Sequence, residues 1–127
     1  MGDVPSDLRY TNEHEWVRVE GVEVGIGITD FAQNALTEVV WVELPEVDSI
    51  VEVMESFASV ESVKSVSEIY APVAGTVTEV NESLEDAPEK INEDPYGEGW
   101  ICKIKTDSDV DVSELLDSDG YSALIGE

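Results

Sequence analysis

Apolar and charged side chains alternate along Trp16-Val17-Arg18-Val19-Glu20 and again along Val22-Glu23-Val24-Gly25-Ile26-Gly27-Ile28. A period of two marks a half-buried strand. Glu20-Gly21 between the runs supplies a turn, so residues 16–28 are predicted to form a hairpin. Gly25 and Gly27 fall on one face of its second strand, where absent side chains let another segment come close. Upstream, Leu8-Arg9-Tyr10-Thr11 reads as a short extended piece and Asn12-Glu13-His14-Glu15 as a polar turn. Downstream, Thr29 or Asp30 can cap a short helix with Phe31, Ala32, Ala35 and Leu36 on its buried face.

The remaining pattern continues in short pieces. Val39-Val40-Trp41-Val42-Glu43-Leu44 reads as a strand closed by Pro45, and residues 45–52 as a polar turn. Phe57-Ala58-Ser59-Val60 and Ile69-Tyr70-Ala71 carry strand-forming residues on either side of a second predicted hairpin, with Lys64 at or beside its tip. Ala74-Gly75 is a turn into the strand Gly75–Val80. Residues 81–99 are acidic and irregular, with room for a one-turn helix near Pro88-Glu89-Lys90, and Trp100–Lys105 is a last strand. Ser113-Glu114-Leu115-Leu116 and Tyr121-Ser122-Ala123-Leu124 predict one or two C-terminal helices. Short strands with turns about every 8–12 residues predict a mainly β sandwich or barrel with short helices attached. No repeat or linker divides the chain, so residues 1–127 are read as a single domain.

Composition narrows the class. The chain has 127 residues, 42% of them hydrophobic, and three tryptophans, enough for one core. Thirty acids against six basic residues give a net charge of −24. That balance argues against nucleic acid and anionic membranes, which need Lys and Arg to meet phosphate. No apolar run approaches a membrane span, and the acidic N-terminus lacks a signal-peptide layout. One cysteine, Cys102, cannot make an internal disulfide and fits a reducing cytoplasm. The acidity predicts a protein adapted to very high salt. Acids in clusters such as Asp107-Asp109-Asp111, about 7 Å apart, repel by roughly 0.6 kcal/mol per pair unscreened, and molar salt removes most of that.

Candidate chemistry is sparse. His14 is the only histidine, which leaves almost no material for a metal site or a histidine triad. Cys102 lies in an apolar strand and reads as a buried, inert thiol. Lys64 is one of four lysines and the only one before Lys90, with Glu52, Glu55, Glu61, Glu68 and Glu79 around it in the chain. Its neighbours are small or β-branched, which leaves its amine open. Val60, Val63 and Val66 also recur at helical spacing, but β-branched residues and serines disfavour a helix. On composition and spacing alone, Lys64 is an unusual lysine and no more.

Val60-Glu61-Ser62-Val63-Lys64-Ser65 resembles the lipoyl-attachment motif of the glycine cleavage system H protein family. Tyr10-Thr11 with His14-Glu15-Trp16-Val17, and Gly27-Ile28-Thr29-Asp30 with Ala32-Gln33, resemble the family's N-terminal signature. Val40–Pro45, Ala71–Gly75, Glu79-Val80-Asn81, Asn92, and Asp94-Pro95-Tyr96-Gly97 leading to Gly99-Trp100 are similar to its later segments. The chain departs from the family at Ser65 (usually Ala) and Glu68 (often Asp), and at Thr37, Asp48 and Met54, where glycine is common. Those three put the local turn geometry in question.

The resemblance implies a lipoyl-type fold, a barrel-sandwich hybrid with a C-terminal helix, and lipoate linked to Lys64. It implies a non-catalytic carrier that takes the aminomethyl group of glycine from the glycine decarboxylase to the aminomethyltransferase, then the dithiol to dihydrolipoamide dehydrogenase. A lipoate ligase or lipoyl transferase would load it, and the carrier would work as a cytoplasmic monomer. Glu15, Glu68 and His14 are expected at a cleft that holds the loaded arm. The alternative is a lipoate-relay or scaffold protein of the same fold.

Overall fold

The structure, a computed structural model, describes residues 4–106 and 115–126. Two antiparallel sheets pack around one core. The larger runs β1-β2-β3-β9-β8-β5 and the smaller β4-β6-β7, where β1 is Arg9–Tyr10, β2 Glu15–Glu20, β3 Glu23–Ile28, β4 Val39–Glu43, β5 Ile50–Val51, β6 Ser56–Ser62, β7 Val66–Tyr70, β8 Gly75–Val80 and β9 Cys102–Lys105. The mainly β architecture read from the alternation is present.

The hairpin predicted over residues 16–28 is β2–β3, in a register that sets Trp16 opposite Gly27 and Arg18 opposite Gly25. Gly21 in its two-residue turn has φ 74°, the backbone that glycine allows in a tight hairpin. The segment that approaches Gly27 is the indole of Trp16: a Cβ there would lie 2.6 Å from its ring atoms.

Alternation divides each strand between two environments. Val17, Ile26, Cys102 and Ile104 of the larger sheet meet Val42, Val60 and Ile69 of the smaller one in the main core. On the other face of the larger sheet, Leu8, Tyr10 and Trp16 form a second cluster with Tyr121. Tyr121 belongs to α4 (Ser118–Ile125), and its ring stacks on Tyr10 with centroids 4.7 Å apart.

Of the two candidate caps for α1 (Asp30–Leu36), Thr29 is the one used, its hydroxyl accepting from the Ala32 N–H. Other expectations need correction. Residues 45–52 are not all turn, because Ile50 and Val51 pair with Thr76 and Gly75; a two-residue strand is too short to show a period. Residues 81–99 hold two one-turn helices, α2 (Ser83–Asp86) and α3 (Lys90–Glu93), and the last strand starts at Cys102 rather than Trp100. Of the first C-terminal helix, Ser113 and Glu114 lie outside the described residues, as do Asp107, Asp109 and Asp111. Leu115 and Leu116 are not helical; Leu116 bridges Tyr10 through paired bonds of 2.8 Å.

Thr37, Asp48 and Met54 all have positive φ, at 68°, 75° and 69°. The turns keep the backbone that glycine would adopt, although side chains now occupy those positions.

Candidate functional site

Lys64 lies between β6 and β7, exposed, at the tip of the second hairpin. Ser62, the last residue of β6, is 7% exposed and organises that tip. Its hydroxyl accepts from the backbone N–H groups of Lys64 (3.1 Å) and Ser65 (3.0 Å), while its own N–H donates to the Ser65 carbonyl at 2.8 Å. The Val63 N–H donates to the Glu38 carbonyl (3.1 Å), tying the tip to the end of the segment before β4. The backbone of the tip is therefore fixed while its side chains stand outward, with Val63 68% and Val66 61% exposed. Among the described residues, no ion pair holds the Lys64 amine; the two pairs present belong to Lys103.

Beside this hairpin is a cleft of about 190 Å³. His14, Phe31, Ala32 and Leu36 form one wall, Ser67, Glu68 and Ile69 the other, with Glu13 at the rim. Glu68 is four residues from Lys64, at most ~13 Å of extended chain. It is exposed, and one of its oxygens accepts from the Ser56 hydroxyl at 3.0 Å. His14 has φ 70°, its Nδ1 is 2.8 Å from the Tyr121 hydroxyl, and its ring packs on Phe31 at 4.9 Å. Burial holds its pKa below the usual imidazole range, which favours the neutral ring. The Tyr121 hydroxyl also meets Thr29 Oγ1 at 2.7 Å, so α4, the α1 cap and the cleft wall share one polar network.

Glu15 lies elsewhere than its neighbours. It is 1% exposed and does not line the cleft. Oε1 accepts from the Thr11 hydroxyl at 2.7 Å and Oε2 from the Tyr70 N–H at 3.0 Å. Burial raises its pKa to about 7, outweighing the lowering effect of both hydrogen bonds. Of the three residues expected around a bound arm, the structure thus brings Glu68 and His14 together and sets Glu15 behind them. Sequence reasoning passed over Glu13 and the part played by Ser62. A serine two positions before the lysine is a turn-forming signal that could have identified Ser62.

Cys102 is buried, which pushes its thiol up and away from reactivity. Among the described residues no cluster of three metal-ligating side chains forms, and no helix is long and apolar enough to cross a membrane.

Comparison with known proteins covers nearly the whole chain. A family model described as Glycine cleavage H-protein matches residues 8–127. The glycine cleavage system H protein of Staphylococcus carnosus is 54% identical over 124 residues, covering 98% of each chain. That of Thermus thermophilus is 55% identical over 123 residues, 97% of this chain and 96% of its own. A crystal structure of a glycine cleavage system H protein from Mycobacterium marinum superposes with a TM-score of 0.89 at 37% identity, covering 98% of this chain and 100% of the other.

Proposed function

The chain belongs to the glycine cleavage H-protein family, and from that premise we propose that Lys64 is the residue that carries its lipoyl group. The protein is a non-catalytic lipoyl carrier of glycine cleavage. What supports Lys64 is its place: an exposed amine on a hairpin tip whose backbone is pinned by Ser62. Amide formation removes the ammonium charge, and no ion pair among the described residues is lost by it.

Bound there, the group supplies a dithiolane that takes up the aminomethyl group of glycine and a pair of electrons. The chain's own residues position and shield. Tethering raises the local concentration of the cargo at each partner. Those partners are the glycine decarboxylase, the aminomethyltransferase and dihydrolipoamide dehydrogenase, with a lipoate ligase or lipoyl transferase as the loading enzyme. Glu68 presents a carboxylate at the cleft rim, suited to a cationic amine. His14 and Phe31 give that cleft an apolar wall. Glu15 serves it from behind, through β7.

The acidity supports adaptation to high salt. With a net charge of −24 and only Lys103 in ion pairs among the described residues, repulsion is left to solvent ions. The buried, unpaired Cys102 suits a reducing cytoplasm. The assignment is tested by Lys64→Arg in glycine–bicarbonate exchange with the decarboxylase. A folded variant without activity upholds it; activity near that of the wild type refutes it.

A further inference from the structure

Thirty acids cover this molecule, yet the surface next to Lys64 is apolar. Val63 and Val66 flank the lysine and are exposed. Trp41 is 52% exposed, and it is the one aromatic ring among the exposed large apolar side chains of the described residues. Strand pairing brings it to the same place: Trp41 is opposite Glu61 on β6, and Glu61 is opposite Val66 on β7. The adjacent pair, Val42 and Val60, belongs to the main core. The row Trp41–Glu61–Val66 therefore faces water.

Val63 extends this row to the tip, where its N–H bonds to the carbonyl of Glu38, the residue before β4. The next outward row, Glu43–Ser59–Glu68, is polar. An exposed apolar patch with a polar rim marks a contact surface. An aromatic ring within such a patch commonly carries much of the binding energy.

We infer that Trp41, Val63 and Val66 are the docking surface for the lipoyl-loading enzyme, an inference resting on the assignment of Lys64 above. The enzymes that meet this carrier approach different atoms, and only the loading enzyme must reach the lysine itself. A lysine stem extends roughly 6 Å from the backbone, so an enzyme that acylates its amine rests on the residues around the tip. In that step the ammonium gives two protons to solvent and its nitrogen forms a C–N bond to the carbonyl of an activated lipoyl donor. The donor's leaving group departs with the electrons of the bond that breaks. The decarboxylase, the aminomethyltransferase and the dehydrogenase act on sulfur at the far end of the arm and need not touch the tip. The loading enzyme also has a matching surface, since a channel that holds an apolar lipoyl chain is lined by apolar side chains. A second copy of this chain is the poorer occupant, because each carries a net charge of −24.

The test follows lipoylation of the full-length, unloaded chain by a lipoate ligase supplied with lipoate and ATP. Trp41→Ala is expected to raise the KM for the carrier about tenfold with kcat unchanged. The gap should persist from about 0.1 M to about 1 M salt, because screening weakens charge pairs and not an apolar contact. Once fully loaded, the same variant is expected to show the wild-type KM with the decarboxylase, the aminomethyltransferase and the dehydrogenase. An unchanged ligase KM overturns the inference, and so does an equal rise in KM with any of the other three enzymes. Should Trp41→Ala lose its fold, Val66→Thr serves instead, because it keeps the branched shape and strand preference while placing a hydroxyl on the patch; a raised KM supports the patch and an unchanged one overturns it. A wild-type chain loaded on another lysine sinks the assignment of Lys64, whereas a variant loaded on Lys64 with the wild-type KM sinks only the docking surface.

Discussion

The Glu15 carboxylate accepts a 3.0 Å hydrogen bond from the backbone N–H of Tyr70, joining β2 of the larger sheet to β7, an edge strand of the smaller one. β7 also carries Glu68 and one side of the Lys64 hairpin. One buried side chain thereby fixes the spacing between the strand behind the His14 wall of the cleft and the strand that follows the lysine.

That carboxyl makes stability depend on pH. Its folded pKa, about 7, is above the ordinary value of 4.5, so the native state holds a proton that the unfolded chain releases between those values. Its contribution is fully present below pH 4.5 and is lost as pH rises through 7, an upper bound of roughly 3 kcal/mol. Glu15→Gln keeps one acceptor for Tyr70 and does not titrate. Denaturant unfolding from about pH 4.5 to 8 is expected to show a smaller stability loss with rising pH for this variant than for the wild type. Equal slopes for the two would contradict the assignment.

Thr37 holds φ 68° and ψ −139°, a region that costs a β-branched residue on the order of 1–3 kcal/mol. Thr37→Gly relieves the strain and gives back part of it as entropy of the unfolded chain. A net gain of about 1 kcal/mol is expected in thermal or denaturant melts. Met54 is expected to gain less, because it is not β-branched, and Asp48 least, because Asp tolerates this backbone. No gain from Thr37→Gly would mean that the turn is not strained.

Ser62→Ala removes the acceptor for two N–H groups at the tip and the hydroxyl's own 3.1 Å bond to the Ser65 carbonyl, but leaves the backbone Ser62 N–H to Ser65 carbonyl bond. The expected cost is about 1 kcal/mol, confined to the tip. Faster hydrogen exchange at Lys64 and Ser65, with slower lipoyl incorporation and little change in global melting, is the expected pattern. A melting temperature that drops with exchange unaltered would place the role of Ser62 in the core instead.

Salt should act on the whole molecule. The Debye length rises from about 3 Å at 1 M to about 10 Å at 0.1 M, so repulsion among the 30 acids returns as salt is withdrawn. The melting temperature is expected to fall steadily over that range. A level melting temperature down to tens of millimolar would contradict salt adaptation.

The parts of the site set by local pattern were legible in the sequence. Strand alternation located the hairpin over residues 16–28, and β-branched flanks located the turn at Lys64. Contacts between a side chain and distant backbone left no periodic trace. Glu15 reads as one more solvated acid until Tyr70, 55 residues away, supplies its N–H. β5 is two residues long and shows no period. The three replaced glycines could be doubted as turns from the sequence, but only the backbone shows that positive φ survives at each.

The most direct test of lipoyl attachment at Lys64 is the mass of the protein isolated from its own cells, followed by peptide mapping. The chain is expected to be heavier by one lipoyl group, located on the peptide that contains Lys64. A chain that carries no such mass, or carries it on Lys90, Lys103 or Lys105 instead, would contradict the carrier mechanism built on this hairpin.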